Sequence, residues 1–196
     1  MPAILFVCLG NICRSPLAEG VMRNYLKMTT QPNNVTVDSA ATSNYHTGES
    51  PHSGGQRCAK KHGFDISRHR ARQVTKKDFD QFDLIIGMDR SNIEDLEYMK
   101  KELNPKGKGE IHMLSDYLPG QKGKEVPDAY YARDQAACFE EIYTMVEMAC
   151  PNILNSLLSF VCCEINTSKA LEYIGVKSIG PSSIHLKRVG AWSNWR

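Results

Sequence analysis

The run Ala3-Ile4-Leu5-Phe6-Val7-Cys8 is apolar at every position, and within seven residues of its end Ser15-Pro16 opens a helical pattern. A strand with one wet face alternates apolar and polar side chains. An unbroken apolar run belongs to a strand covered on both faces. Proline suits a first helical turn, because the N–H it lacks would have no partner there. A buried strand feeding straight into a helix is the first half of a parallel crossover unit. That restricts the chain to an α/β architecture.

Three later runs carry a similar signature: Val35 to Ser39, Asp83 to Met88 and Glu110 to Leu114. All four are expected to be short, buried, parallel strands. Helical patterns lie between them. The first runs from Ser15 through Leu17, Val21, Tyr25 and Leu26. A second covers Pro51 to His62 and stops at Gly63. A third, capped by Asp89 or Ser91, passes through Leu96 and Met99. The last carries Phe139, Ile142, Val146, Cys150, Leu154 and Leu157 at spacings of three or four, hence on one face. Pro151 sits inside that pattern, so a kink or break is expected there. The expected fold is an open, doubly wound, four-stranded parallel sheet flanked by helices. Ligands bind such sheets at the carboxyl ends of the strands, where strand order reverses. Strand 1 ends at Cys8. Residues 1–158 read as one domain. Residues 159–196 show no clear periodicity and read as a loosely ordered C-terminal tail of unknown role.

Lys plus Arg number 24 and Asp plus Glu 22, so nucleic-acid binding has no bulk electrostatic support. No stretch reaches the roughly 18 apolar residues that span a bilayer. The N-terminal run is too short for a signal segment and lacks a basic flank, which points to the cytoplasm. None of the seven cysteines forms a C-x-x-C pair, so no structural zinc motif is expected. In a reducing compartment they are expected to be mostly free thiols, as a thiolate nucleophile requires.

Cys8-Leu9-Gly10-Asn11-Ile12-Cys13-Arg14-Ser15 contains C-x5-R. Alone that spacing is weak, because chance nearly supplies one match in a chain of this composition. Its context is what counts: a buried strand runs into Cys8, Gly10 lets the backbone turn, and Ser15-Pro16 starts a helix. Successive N–H groups in such a loop form an anion nest, and the helix N-terminus adds donors and partial positive charge. Arg14 offers a planar fork for two phosphate oxygens. The same field favours a thiolate at Cys8. A phosphate loop after strand 1 with a thiolate in it is equipped for phosphoryl transfer to sulfur.

This segment closely resembles the low-molecular-weight protein tyrosine phosphatase family over Leu5 to Ala18. The resemblance resumes at Val37-Asp38-Ser39, His69-Arg70-Ala71-Arg72-Gln73-Val74, Met88-Asp89-Arg90-Ser91-Asn92 and Pro127-Asp128-Ala129-Tyr130-Tyr131, and it covers roughly residues 3–158. It implies a phosphotyrosine and aryl phosphate hydrolase working through a phosphocysteine, with no metal or cofactor. Cys8 would be the nucleophile and Arg14 the phosphate ligand. Asp128 would be the acid that protonates the leaving oxygen and then the base that activates water. Spacing alone would not select Asp128. The family's proline after this aspartate is Ala129 here, and its glycine after the aromatics is Ala132. Asn11 resembles the residue that fixes the loop, Ser39 and His69 its partners, and Ser15 the hydroxyl that eases thiolate departure. Leu9, Gly10, Ile12 and Cys13 complete the substrate loop. Tyr45, Tyr130 and Tyr131 resemble pocket walls, and His46 the neighbour that tunes substrate choice. Asp89 reads as a helix cap. Cys13 has two open readings, a small apolar filler or the partner in a reversible, protective disulfide with Cys8. The implied partners are phosphotyrosine proteins or small phosphate monoesters, with the chain a monomer or weak dimer.

Two enzymes on the same scaffold compete. An arsenate reductase needs relay cysteines around residues 80–92, where this chain has none. An arginine phosphatase carries threonine at the position of Ile12. Ile12 therefore favours phosphotyrosine.

Overall fold

The computed structural model describes residues 1–29 and 35–164, with side chains to residue 159. The readings placed on residues 165–196 lie outside the described residues. Four parallel strands form one sheet in the order β2-β1-β3-β4: β1 (Ala3–Cys8), β2 (Thr36–Ala41), β3 (Leu84–Gly87) and β4 (Glu110–Met113). Between and after them come α1 (Arg14–Met28), α2 (Ser53–Lys61), α3 (Asp78–Gln81), α4 (Arg90–Leu103) and α5 (Gln135–Glu164). The chain leaves β1 toward β2 and then crosses to β3 on the other side. The reversal in strand order therefore falls at the carboxyl end of β1, where Cys8 stands.

The unbroken apolar character of β1 has its cause in two cores. Ile4, Phe6 and Cys8 face α1, α2 and α5, packing with Leu17, Val21, Phe139 and Ile142. Ala3, Leu5 and Val7 face the opposite side, with Phe79, Phe82, Ile85 and Leu96. β2 runs two residues further than Ser39, because Ala41 pairs with Cys8 in the ladder. His52 caps the start of α2, its ring accepting from the Gly54 N–H, and Gly63 beyond the helix end takes φ 82°, the left-handed form suited to a helix stop.

One expectation fails. β4 is not buried: Glu110 is exposed and Ile111, His112 and Met113 are only half-buried, since β4 is an edge strand with a single neighbour. Of the kink or break expected at Pro151, the break does not occur: α5 is one helix from Gln135 to Glu164. Pro151 is exposed, and so is Glu147, whose carbonyl loses its partner. That side of the helix is open to solvent, so the carbonyl keeps access to water, while buried Cys150, Ile153, Leu154 and Leu157 hold the opposite face to the core. The helix also passes the boundary expected at residue 158.

Candidate active site

The loop between β1 and α1 is held in a conformation few residues accept. Asn11 has φ 56°, in the left-handed region where asparagine is among the tolerated side chains. Its buried amide spans the loop. Nδ2 donates to Ser15 Oγ and Ser39 Oγ, each at 2.9 Å. Oδ1 accepts from the Arg72 N–H at 3.0 Å and lies 3.1 Å from His69 Nε2. The expected partners Ser39 and His69 therefore meet Asn11 directly. Asn11→Ala would strand these groups and place alanine in a left-handed backbone. The expected cost is about 2–3 kcal/mol of unfolding free energy, read by urea denaturation.

Behind this amide stands Glu19, which the sequence reading did not single out. It lies one turn beyond Ser15 on α1. Its Oε2 accepts from Ser39 Oγ at 2.7 Å and lies 3.4 Å from His69 Nδ1. Burial works against its charge, but the His69 and Ser39 hydrogen bonds together with the Arg23 guanidinium outweigh that and hold its carboxyl below the usual range. The available signal was its i,i+4 spacing from Ser15, which places both on one helix face.

Cys8 Sγ lies 3.1 Å from Ser15 Oγ and accepts from the Asn11 N–H at 3.3 Å. These contacts suit a sulfur carrying negative charge. Cys13 differs. Burial first, then the charge at Cys8, push its thiol up to about 12. Of the two loop cysteines, Cys13 therefore stays protonated at neutral pH.

Arg14, the first residue of α1, is only 4% exposed. Its Nη1 donates to Asp89 Oδ2 at 2.5 Å and its Nη2 to Asp128 Oδ2 at 3.2 Å. Burial opposes its charge, but the negative charges at Cys8, Asp128 and Asp89 overcome this and raise its pKa. Asp89 does cap α4, accepting from the Asn92 N–H at 2.7 Å. Its other oxygen anchors Arg14, a contact that the helix-cap reading left out. Asp128 sits in a turn where Oδ1 accepts from the Tyr130 N–H at 3.0 Å. Ala129, in place of the family proline, is fully buried beneath that turn.

One pocket collects these groups. Its floor is the loop itself, with Cys8, Leu9, Gly10, Ile12, Cys13 and Arg14. Tyr45, His46, Asp128, Tyr130 and Tyr131 form the walls. The three tyrosines are largely exposed, so their rings stand up around the opening. His46 closes over the loop: a Cβ on Gly10 would fall 2.9 Å from its ring, which gives that glycine a steric reason. Ser15, Asn11, Ser39 and His69 lie outside the pocket and act on its floor from behind. A thiol beside a cationic fork, with a carboxylate at the rim and aromatic walls, can hold a flat group bearing a tetrahedral dianion.

A family model described as low molecular weight phosphotyrosine protein phosphatase matches residues 3–160. The human low molecular weight phosphotyrosine protein phosphatase is 45% identical over 148 residues, covering 76% of this chain and 90% of that protein. The solved protein tyrosine phosphatase of Entamoeba histolytica superposes with a TM-score of 0.72 at 33% identity, covering 80% of this chain and 97% of that one. A Drosophila arginine phosphatase superposes with a TM-score of 0.72 at 31% identity, covering 78% and 96%. Fold, pocket and these likenesses agree, and the chain belongs to the low molecular weight phosphotyrosine protein phosphatase family.

Proposed function

We propose that this chain hydrolyses phosphotyrosine in proteins, and small aryl phosphates, through a phosphocysteine on Cys8. The observation that carries the reading is the joining of Cys8, Arg14 and Asp128 in one pocket walled by tyrosines. Arg14 is bridged by two carboxylates. An incoming phosphoryl dianion displaces the Asp128 carboxylate from Nη2, and the freed carboxylate takes up a proton from solvent, while Asp89 keeps Nη1 in place. The Cys8 thiolate attacks phosphorus, the P–O bond to the aryl group breaks, and Asp128 gives its proton to the departing oxygen. Asp128, now a carboxylate, takes a proton from water as that water attacks phosphorus. The P–S bond breaks, phosphate leaves and the thiolate returns, with the Ser15 hydroxyl donating to sulfur. The loop N–H groups and Arg14 carry the charge that builds on the equatorial oxygens.

Asp128→Asn is expected to lower kcat on phosphotyrosine by about 10²–10⁴-fold. The loss on p-nitrophenyl phosphate should be smaller, since its leaving oxygen needs less protonation. Steady-state rates on the two substrates check this, and equal losses would remove the acid role.

Buried Ile12 stands in the loop floor, and its apolar side chain supports an aryl substrate over a phosphoramidate. The deciding assay compares phosphotyrosine, phosphoarginine and arsenate with the purified protein. Fastest turnover of phosphotyrosine is expected, and faster release from phosphoarginine would replace the reading with an arginine phosphatase. Cys8 and Cys13 are both free thiols in one loop, which supports a reversible disulfide guarding the nucleophile. Among the described residues no helix is long and apolar enough to cross a membrane. The need for a reduced Cys8 supports action in the cytoplasm.

A further inference from the structure

Away from the phosphate pocket, α2 and α5 bring three metal-ligand types together. Cys58 and His62 are four residues apart, on one face at the end of α2. Glu140 lies across from them on α5. One ligand atom from each, a sulfur, a ring nitrogen and a carboxylate oxygen, all lie within 4.8 Å of one another. His62 Nε2 is 2.9 Å from Glu140 Oε2. The His62 ring stacks on Tyr143 with centroids 3.5 Å apart and planes 12° apart, which fixes its orientation. Lys61 Nζ holds the other Glu140 oxygen at 3.0 Å from an exposed position. A surface depression lined by Gly54, Arg57 and Ala137 opens onto Cys58 and Glu140, with room for water.

An ion-pair cluster accounts for Lys61, His62 and Glu140. The buried Cys58 thiol joins the same cluster: it donates to the Phe139 carbonyl at 3.5 Å and lies within reach of the Glu140 carboxylate. We propose that Cys58, His62 and Glu140 form a binding site for a zinc-class divalent cation, with water as fourth ligand. A thiolate, an imidazole and a carboxylate suit zinc or cobalt, whereas magnesium and calcium prefer oxygen alone. Binding draws the three atoms to about 3.5 Å from one another around a tetrahedral ion. A metal–sulfur bond forms, the Cys58 thiol proton goes to solvent, and Lys61 Nζ swings into water. No oxidation state changes. The site ties α2 to α5. It also bears on the loop, because the His52 N–H at the start of α2 donates to the Ile12 carbonyl at 2.8 Å.

The test uses cobalt(II) on the full chain carrying Cys8→Ser, so that the pocket thiolate cannot take the ion. One equivalent is expected to give a thiolate-to-cobalt charge-transfer band that zinc displaces, and zinc is expected to raise the unfolding temperature. On that background Cys58→Ala should abolish the band, and Glu140→Gln should weaken binding at least about tenfold. Lys61→Ala, a surface change that leaves the ligands whole, should tighten it. Absence of the band overturns the proposal. So does a band that survives Cys58→Ala, or cobalt affinity unchanged in Glu140→Gln.

Discussion

Cys8→Ser is expected to lower kcat on phosphotyrosine by at least about 10⁴-fold while leaving phosphate binding measurable. The two properties separate because they rest on different atoms. Binding needs the loop N–H groups, the start of α1 and Arg14, none of which the substitution touches. Bond-making needs a charged sulfur. Cys8 Sγ sits between the Ser15 hydroxyl at 3.1 Å and the Asn11 N–H at 3.3 Å. A serine hydroxyl there keeps a hydrogen-bond partner but does not ionise near neutral pH. Cys13 cannot take over, since burial keeps its thiol protonated. Steady-state assays with p-nitrophenyl phosphate and calorimetric titration with phosphate read the two properties. Wild-type turnover by the serine protein would remove the central claim.

Arg14→Lys is expected to lower kcat/KM by about 10²–10⁴-fold, although charge is conserved. The guanidinium spans two carboxylates at once, Asp89 at 2.5 Å and Asp128 at 3.2 Å. Asp89 braces one end, so the other is aimed into the pocket and is free to exchange Asp128 for phosphate. An ammonium is a point charge without that fork. It satisfies Asp89 or the phosphate, not both in the required plane. Part of the loss could come from misfolding, because Arg14 is buried. Thermal unfolding separates the two, and a variant with normal kcat/KM would show that the fork has no role.

Cys8, Gly10, Arg14 and Ser15-Pro16 were legible without any relative, because strand end, turn and helix start lie within nine consecutive residues. Their geometry follows from local backbone rules. Asp128, Ser39 and His69 came only from the family resemblance, since nothing local distinguishes them from other surface polar residues. Glu19 and the second role of Asp89 were missed for a related reason. Each depends on what faces the residue across the fold, and Asp89 already had an adequate local explanation as a cap. The burial expected of β4 failed in the same way, and the choice between a kink and a break at Pro151 stood open for the same reason. An edge position depends on strand order, and tolerance of a mid-helix proline depends on which side of the helix meets water.

The chain's sequence by itself determined a doubly covered strand, an anion-binding turn and a thiol beside an arginine, because these need only neighbouring residues and the periodicities of helix and strand. The tertiary structure alone decided that Arg14 faces Asp89 and Asp128, 75 and 114 residues away. It also set the Asn11 amide among Ser15, Ser39, His69 and Arg72. Such contacts form only when a sheet in the order β2-β1-β3-β4 and its helices close loops of that length. The order of strands, not any local preference, places those side chains at the end of β1.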